Sequence, residues 1–253
     1  CSAHHPERIP ETMLSLLISL AAGVVVTIPL LFAPFHGAFA VIIGTVVFAG
    51  VYAIVLRQVM QKINVAVEVA QKDLAANRVE KAVRVIEDVQ KKFSPWQFYV
   101  KQQMNSQIGS IHYLRRDFSK AFEYLEQGFA RHWVGMAMLA ICYMKRTQNS
   151  KMIDAFEKAV TVTRKEPLLW SLYAFCLEKI GERDKAIKVM ERGLKKLKGD
   201  ERMEENLKLL QDGKKMKMQP YGDLWFQFHL EKTGTLMRLH TKAIQGRRKL
   251  VRR

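Results

Sequence analysis

Hydrophobic and polar positions follow two rules along this chain. From Met13 to Leu56 no Asp, Glu, Lys or Arg occurs. After Arg57, apolar residues recur at three- and four-residue intervals with charges between them. An uncharged run of that length suits hydrocarbon, where a backbone has no solvent to bond and must satisfy itself as a helix. The second pattern is that of amphipathic helices with one covered face. Together they predict an all-α chain: a two-helix transmembrane hairpin, then a helical domain.

The uncharged run divides at Ala33-Pro34-Phe35-His36-Gly37, where Pro removes a helical N–H and Gly permits reversal. Spans are expected at 13–32 and 38–56, each reaching about 30 Å at 1.5 Å per residue, one hydrocarbon thickness. The connecting turn has no basic residue, whereas Arg8 precedes the first span and Arg57 and Lys62 follow the second. That asymmetry predicts both termini on the cytoplasmic side, as in a bacterial inner membrane. Small residues recur every fourth position, at Ser15, Ser19, Gly23 and Thr27, and again at Thr45, Ala49 and Ala53. These stripes are expected to pack the spans together or to receive another membrane helix. Ala38-Phe39-Ala40 has the form of a signal-peptidase site, but the apolar stretch before it is too long for an ordinary signal core.

Beyond the hairpin the pattern repeats. Pro167 to Lys198 reads as a helix with Trp170, Tyr173, Ala174 and Leu177 inward, a turn at Gly181-Glu182-Arg183-Asp184, and a second helix with Ala186, Met190 and Gly193. One copy earlier stand Met136, Leu139, Ala140, Tyr143, Phe156 and Ala159. Before it come Ile108, Gly109, His112, Ala121, Leu125 and Gly128, with a turn at Asp117-Phe118-Ser119. The first copy has Val69, Ala70, Asp73, a turn at Ala76-Asn77-Arg78, then Ala82, Ile86 and Val89. Copies are offset by 39, 31 and 34 residues, the first offset leaving Phe93 to Val100 as an insertion with Trp96, Phe98 and Tyr99.

This alternation of bulky and small positions resembles the tetratricopeptide repeat. Only the last copy has an aromatic at its opening large position; Ala66, Asn105 and Met136 stand there in the others. The resemblance covers about 135 residues and implies an α-solenoid of about four helix pairs within 57–200, with a concave face lined by the first helix of each pair. It places Val67, Gln71, Ser106, Ser110, Tyr113, Ala137, Ile141, Met144, Ser171, Phe175 and Lys179 on that partner-binding groove. Ser106, Ala137 and Ser171 lack the Lys and Asn of repeats that clamp a carboxylate, so the implied ligand is an apolar helix or extended segment of another protein.

A polar helix within 201–213, carrying Leu207, Leu209 and Leu210, is expected to cap the repeats, ending at Gly213. The tail 214–253 holds 11 Lys and Arg against two acids, about half of the formal net charge of +17. Within it, Tyr221 to Leu230 is aromatic, and Trp225, Phe226 and Phe228 are expected to dock on a partner or settle at an anionic bilayer surface; a plain solvated tail is the alternative. No nucleic-acid module signature is present.

The chain contains no phosphate loop, His-Glu-x-x-His, CxxC, nucleophile elbow or dinucleotide fingerprint. His4-His5 with Cys1 and Glu7 has the plainer reading of a polar terminus, and His112 that of a repeat core position. Three cysteines do not make a disulfide framework, and Cys142 and Cys176, one repeat apart, are expected as buried small hydrophobes. Catalysis, cofactor and metal are therefore not expected. The expectation is a membrane-anchored scaffold that recruits a cytoplasmic protein; the alternative is a structural accessory subunit of a large membrane complex, such as a secretion, motility or energy-transducing assembly, with the groove filled by a neighbour or by the tail itself.

Overall fold

The computed structural model describes residues 13–32 and 37–231, and every regular element among them is helical. The Cys1–His4–His5 terminus, most of the hairpin turn and the basic end after Glu231 lie outside the described residues. The chain divides into two compact units, Cys1–Gly135 and Met136–Arg253.

In the first unit, α1 (Leu14–Leu31) packs against α2 (Gly37–Ala75). Ser15, Ser19 and Gly23 are buried on α1, and Thr27 is half-buried. The backbones meet at two glycines. A Cβ on Gly23 would lie 3.2 Å from the Gly44 carbonyl, and one on Gly44 would overlap the Thr27 hydroxyl. Ser19 and Thr27 donate to the carbonyls of Ser15 and Gly23 at 2.7 and 2.8 Å, so neither hydroxyl is left unsatisfied in an apolar setting.

The facing residues of α2 differ from the expected stripe. Ala40 and Gly44 are buried, whereas Thr45, Ala49 and Ala53 are exposed. Successive helical residues point about 100° apart, so a register fixed by Gly44 turns Thr45 and its fourth-neighbours outward.

Helix α2 does not end at residue 56. It runs for 39 residues, because nothing from Val51 to Ala75 is Gly or Pro. The second apolar run and the first helix of the first repeat are one rod, and its last 19 residues extend about 28 Å past Leu56.

The first unit continues with α3 (Val79–Phe93), α4 (Phe98–Leu114) and α5 (Phe118–Glu126). Helix α6 (Trp133–Lys145) begins at its end, and the second unit holds α7 (Asn149–Val162), α8 (Pro167–Lys179), α9 (Arg183–Leu194), α10 (Glu201–Gln211) and the short α11 (Asp223–Phe226).

The turns carry a common signature. Asn77, Arg116, Thr147 and Gly181 all have left-handed φ, between 58° and 88°. The next residue's N–H donates to the carbonyl five positions back: Arg78 to Asp73, Asp117 to His112, Gln148 to Tyr143 and Glu182 to Leu177, at 2.8–3.0 Å. These are Schellman closures, in which a left-handed residue lets the freed carbonyls of a helix end find donors. They are separated by 39, 31 and 34 residues, the offsets the apolar pattern gives. A fifth closure follows α10, with Gly213 at φ 74° and Lys214 N–H on the Leu209 carbonyl at 2.8 Å, so α10 ends as the first helix of a repeat does.

At the same offsets Ala70, Gly109, Ala140 and Ala174 are all buried, and so are Ala82, Ala121, Met152 and Ala186. Within the first unit, a Cβ on Gly109 would meet Leu125 Cγ at 2.7 Å; within the second, one on Gly193 would meet the Trp170 ring at 2.9 Å. Small residues stand where two helices come too close for a side chain.

Candidate interaction surface

In the first unit the expected groove positions are unequally accessible. Gln71 is exposed and Val67 and Ser110 are half-buried, while Ser106 and Tyr113 are buried. Ser106 accepts the Phe129 N–H at 2.7 Å and donates to the Gln102 carbonyl, fixing the turn after α5. Tyr113 lies edge-on to Phe118, with centroids 5.2 Å apart. These two side chains are structural, held by the return of their own chain.

In the second unit Ala137, Ile141 and Ser171 are buried, Met144 and Phe175 half-buried, and Lys179 exposed. What covers α8 is the tail. After Gly213 the chain turns back over α10 and α8. Asn206 fastens it by accepting the Lys217 N–H at 2.7 Å and donating to the Lys217 carbonyl at 3.0 Å. Tyr221 then places its hydroxyl 2.6 Å from the Ser171 hydroxyl, and the Arg202 guanidinium lies over the Tyr221 ring at 4.7 Å. Gly222, at φ 63°, opens α11. The Trp225 ring meets Phe175 edge-on at 4.9 Å, and its indole N–H donates to Glu231 at 3.0 Å. The Lys179 ammonium sits 5.7 Å from the Phe175 centroid, at the margin of the same contact.

The aromatic tail is therefore docked within its own unit. Met216, Met218, Tyr221, Trp225, Phe228 and Leu230 are all buried, Trp225 and Phe228 completely, and Phe226 is half-buried. Neither a solvated tail nor an outward-facing Trp225 and Phe228 describes residues 214–230. Burial pushes the Tyr221 hydroxyl up to about 12, so it stays protonated and can share its hydrogen bond with Ser171. On α10 the buried positions are Met203, Asn206 and Leu210, with Leu207 and Leu209 half-buried.

Cys142 and Cys176 are free and buried, and burial raises their thiols to about 11 and about 12, leaving both protonated and poorly nucleophilic. The first unit has a cleft of about 610 Å³ between α3 and α5, lined by Glu80, Arg84, Glu87, His112, Arg115 and Tyr124 among others. Within it Arg115 pairs with Glu80 at 3.1 Å and Lys120 with Asp117 at 3.9 Å, and the Tyr124 hydroxyl donates to Glu87 at 3.2 Å. Burial holds the His112 imidazole below its ordinary value. Among the described residues no three potential ligands gather as a metal site.

No protein-family model matches the chain, and no curated protein matches it. Among solved structures, the crystal structure of MamA is similar at a TM-score of 0.42 and 18% identity, the match covering 59% of this chain and 86% of that one.

Proposed function

We propose that this protein is a membrane-anchored interaction scaffold, with its helical repeats on the cytoplasmic face and no reaction of its own. The observation that supports this most is the unbroken α2, which makes the second apolar span and the first repeat helix a single rod. A tether of this kind restricts a bound partner to a surface, raises its local concentration and orients it. The partner surface is the first-helix face, of which Val67, Gln71 and Ser110 in the first unit and Met144 and Lys179 in the second keep accessible area. On α8 a partner would meet the chain's own segment 214–230.

That covered face also favours a second reading, a permanent subunit of a membrane complex whose remaining contacts are made by the hairpin. Photo-crosslinkers placed at Gln71 and at Lys179 in cells, with Lys151 on an exposed second-helix position as control, test the proposal. A discrete protein adduct at the first two sites and none at the third is expected. Equal labelling at all three, or none, would remove the first-helix face as the contact. Native mass after mild extraction separates the readings, since a stoichiometric complex that survives washing favours the subunit.

A further inference from the structure

The segment between α3 and α4 returns to the start of the apolar hairpin. The Pro95 carbonyl accepts the Leu14 N–H at 3.1 Å, and the Trp96 carbonyl accepts the Ser15 hydroxyl at 2.7 Å. Leu14 and Ser15 form the first turn of α1, so the loop touches the N-terminal end of that helix. Trp96 and Tyr99 are partly buried against the core of the first unit, whose members run from Val59 on α2 to Ile111 on α4.

These two bonds put the backbone of Pro95 and Trp96 at the first turn of α1, where the uncharged sequence begins. Trp and Tyr prefer such a boundary in a bilayer because an apolar ring and a polar N–H or O–H can each face its own medium. Trp96 is half-buried, so part of its ring remains open. The residues by which this first offset exceeds the ordinary 34 lie in the helices that flank the loop, α3 and α4 being 15 and 17 residues long against 14 and 13 for α7 and α8.

We propose that residues 94–97 form an interfacial lipid-contact loop, with Trp96 seated among the glycerol and upper acyl region of the cytoplasmic leaflet. This rests on the reading of the hairpin as membrane-spanning. Its consequence is that the first unit meets the bilayer at a third point besides the two span ends, so the repeats are held at a set tilt.

The test uses the full chain reconstituted in phosphatidylcholine vesicles, with a fraction of the lipid brominated high on the acyl chain. Trp96 is one of four tryptophans, and wild-type emission is compared with that of Trp96→Phe, which keeps an aromatic ring. Bromine quenching present in wild type and reduced in Trp96→Phe is expected; equal quenching in the two overturns the proposal. A Val46→Trp change on the Trp96→Phe background separates the two levels, because Val46 is exposed at mid-span. If deep bromines quench the indole introduced by Val46→Trp while wild type and Trp96→Phe do not differ, the loop alone is refuted. Absence of both effects would refute the membrane reading and the loop with it.

Discussion

The two units are built from the same helix–turn–helix pattern but end differently. In the first, the first helix of its first pair grows out of an apolar rod, and nothing between Val51 and Ala75 interrupts it. In the second, α10 and segment 214–230 fold over α8 and close it with Tyr221 and Trp225. A repeat at the end of an array lacks the neighbour that would bury its open side, so each end needs a device of its own. The first unit opens on a helix continuous with an apolar run; in the second, α8 is sealed by its own chain.

The largest effect should come from opening that seal. Trp225 is completely buried and packs on Phe175. Replacing it with Ala removes a large ring from a closed site and is expected to cost about 3–5 kcal/mol. Chemical denaturation with hydrogen exchange by region checks this. Protection should fall across 214–230 and α8, while α3 to α5 keep theirs. If exchange in the second unit were unchanged, the tail would not be part of its core.

A smaller effect, placed in the other unit, tests whether small residues act there as spacers. A Cβ on Gly109 would meet Leu125 Cγ at 2.7 Å and its backbone N at 3.1 Å. Backbone cannot retreat as a flexible side-chain end can, so Gly109→Ala should destabilise the first unit by about 1–3 kcal/mol despite the helix-favouring Ala. A gain in midpoint would mean that α4 and α5 have slack at this contact.

How far the sequence discloses these features differs by region. Repeat offsets are legible because turns and small contact positions recur at fixed places, and the left-handed residues Asn77, Arg116, Thr147 and Gly181 stand at the same 39, 31 and 34 offsets. Three different residue types besides Gly occupy the strained position, so a search for glycine alone finds one turn in four. The hairpin's first stripe, Ser15 to Gly23, coincides with buried positions, but on α2 two small-residue rows, at Ala40 and Gly44 and at Thr45 and Ala49, lie one residue apart. Choosing between them requires the partner helix.

The groove was the least legible part, because a first-helix position is open only if nothing returns over it. Ser171 and Phe175 look like groove residues until Tyr221 and Trp225 arrive, about 50 residues later, from a segment whose basic composition suggests solvent. A hint was present in that segment: apolar residues at 216, 218, 221, 225, 228 and 230, with Pro220 and Gly222 to turn the chain, exceed what a solvated tail needs.

The smallest expected effect concerns the polar fastening of the second unit. Glu157 on α7 accepts both Arg192 nitrogens, at 2.7 and 2.8 Å, and the Tyr173 hydroxyl at 3.0 Å, tying α7 to α8 and α9. The Arg192 hydrogen bonds are the main reason its carboxyl titrates below the ordinary range; burial opposes them and the Tyr173 bond assists. A folded-state value depressed below the unfolded one contributes stability above the unfolded value and loses it as pH falls through the folded one. The carboxylate is 37% exposed, so water screens the pair and about 0.5 kcal/mol is the expected contribution. Urea unfolding followed in the second unit should therefore show a slightly steeper loss below about pH 5 in wild type than in Glu157→Gln, which cannot titrate. In the first unit the Glu80–Arg115 pair is not such a bidentate clasp, being joined through one nitrogen at 3.1 Å between exposed side chains. Arg115→Gln is accordingly expected to leave the acid limb of the first unit where it is, and a shift there as large as that from Glu157→Gln would mean that surface pairs fasten the two units alike.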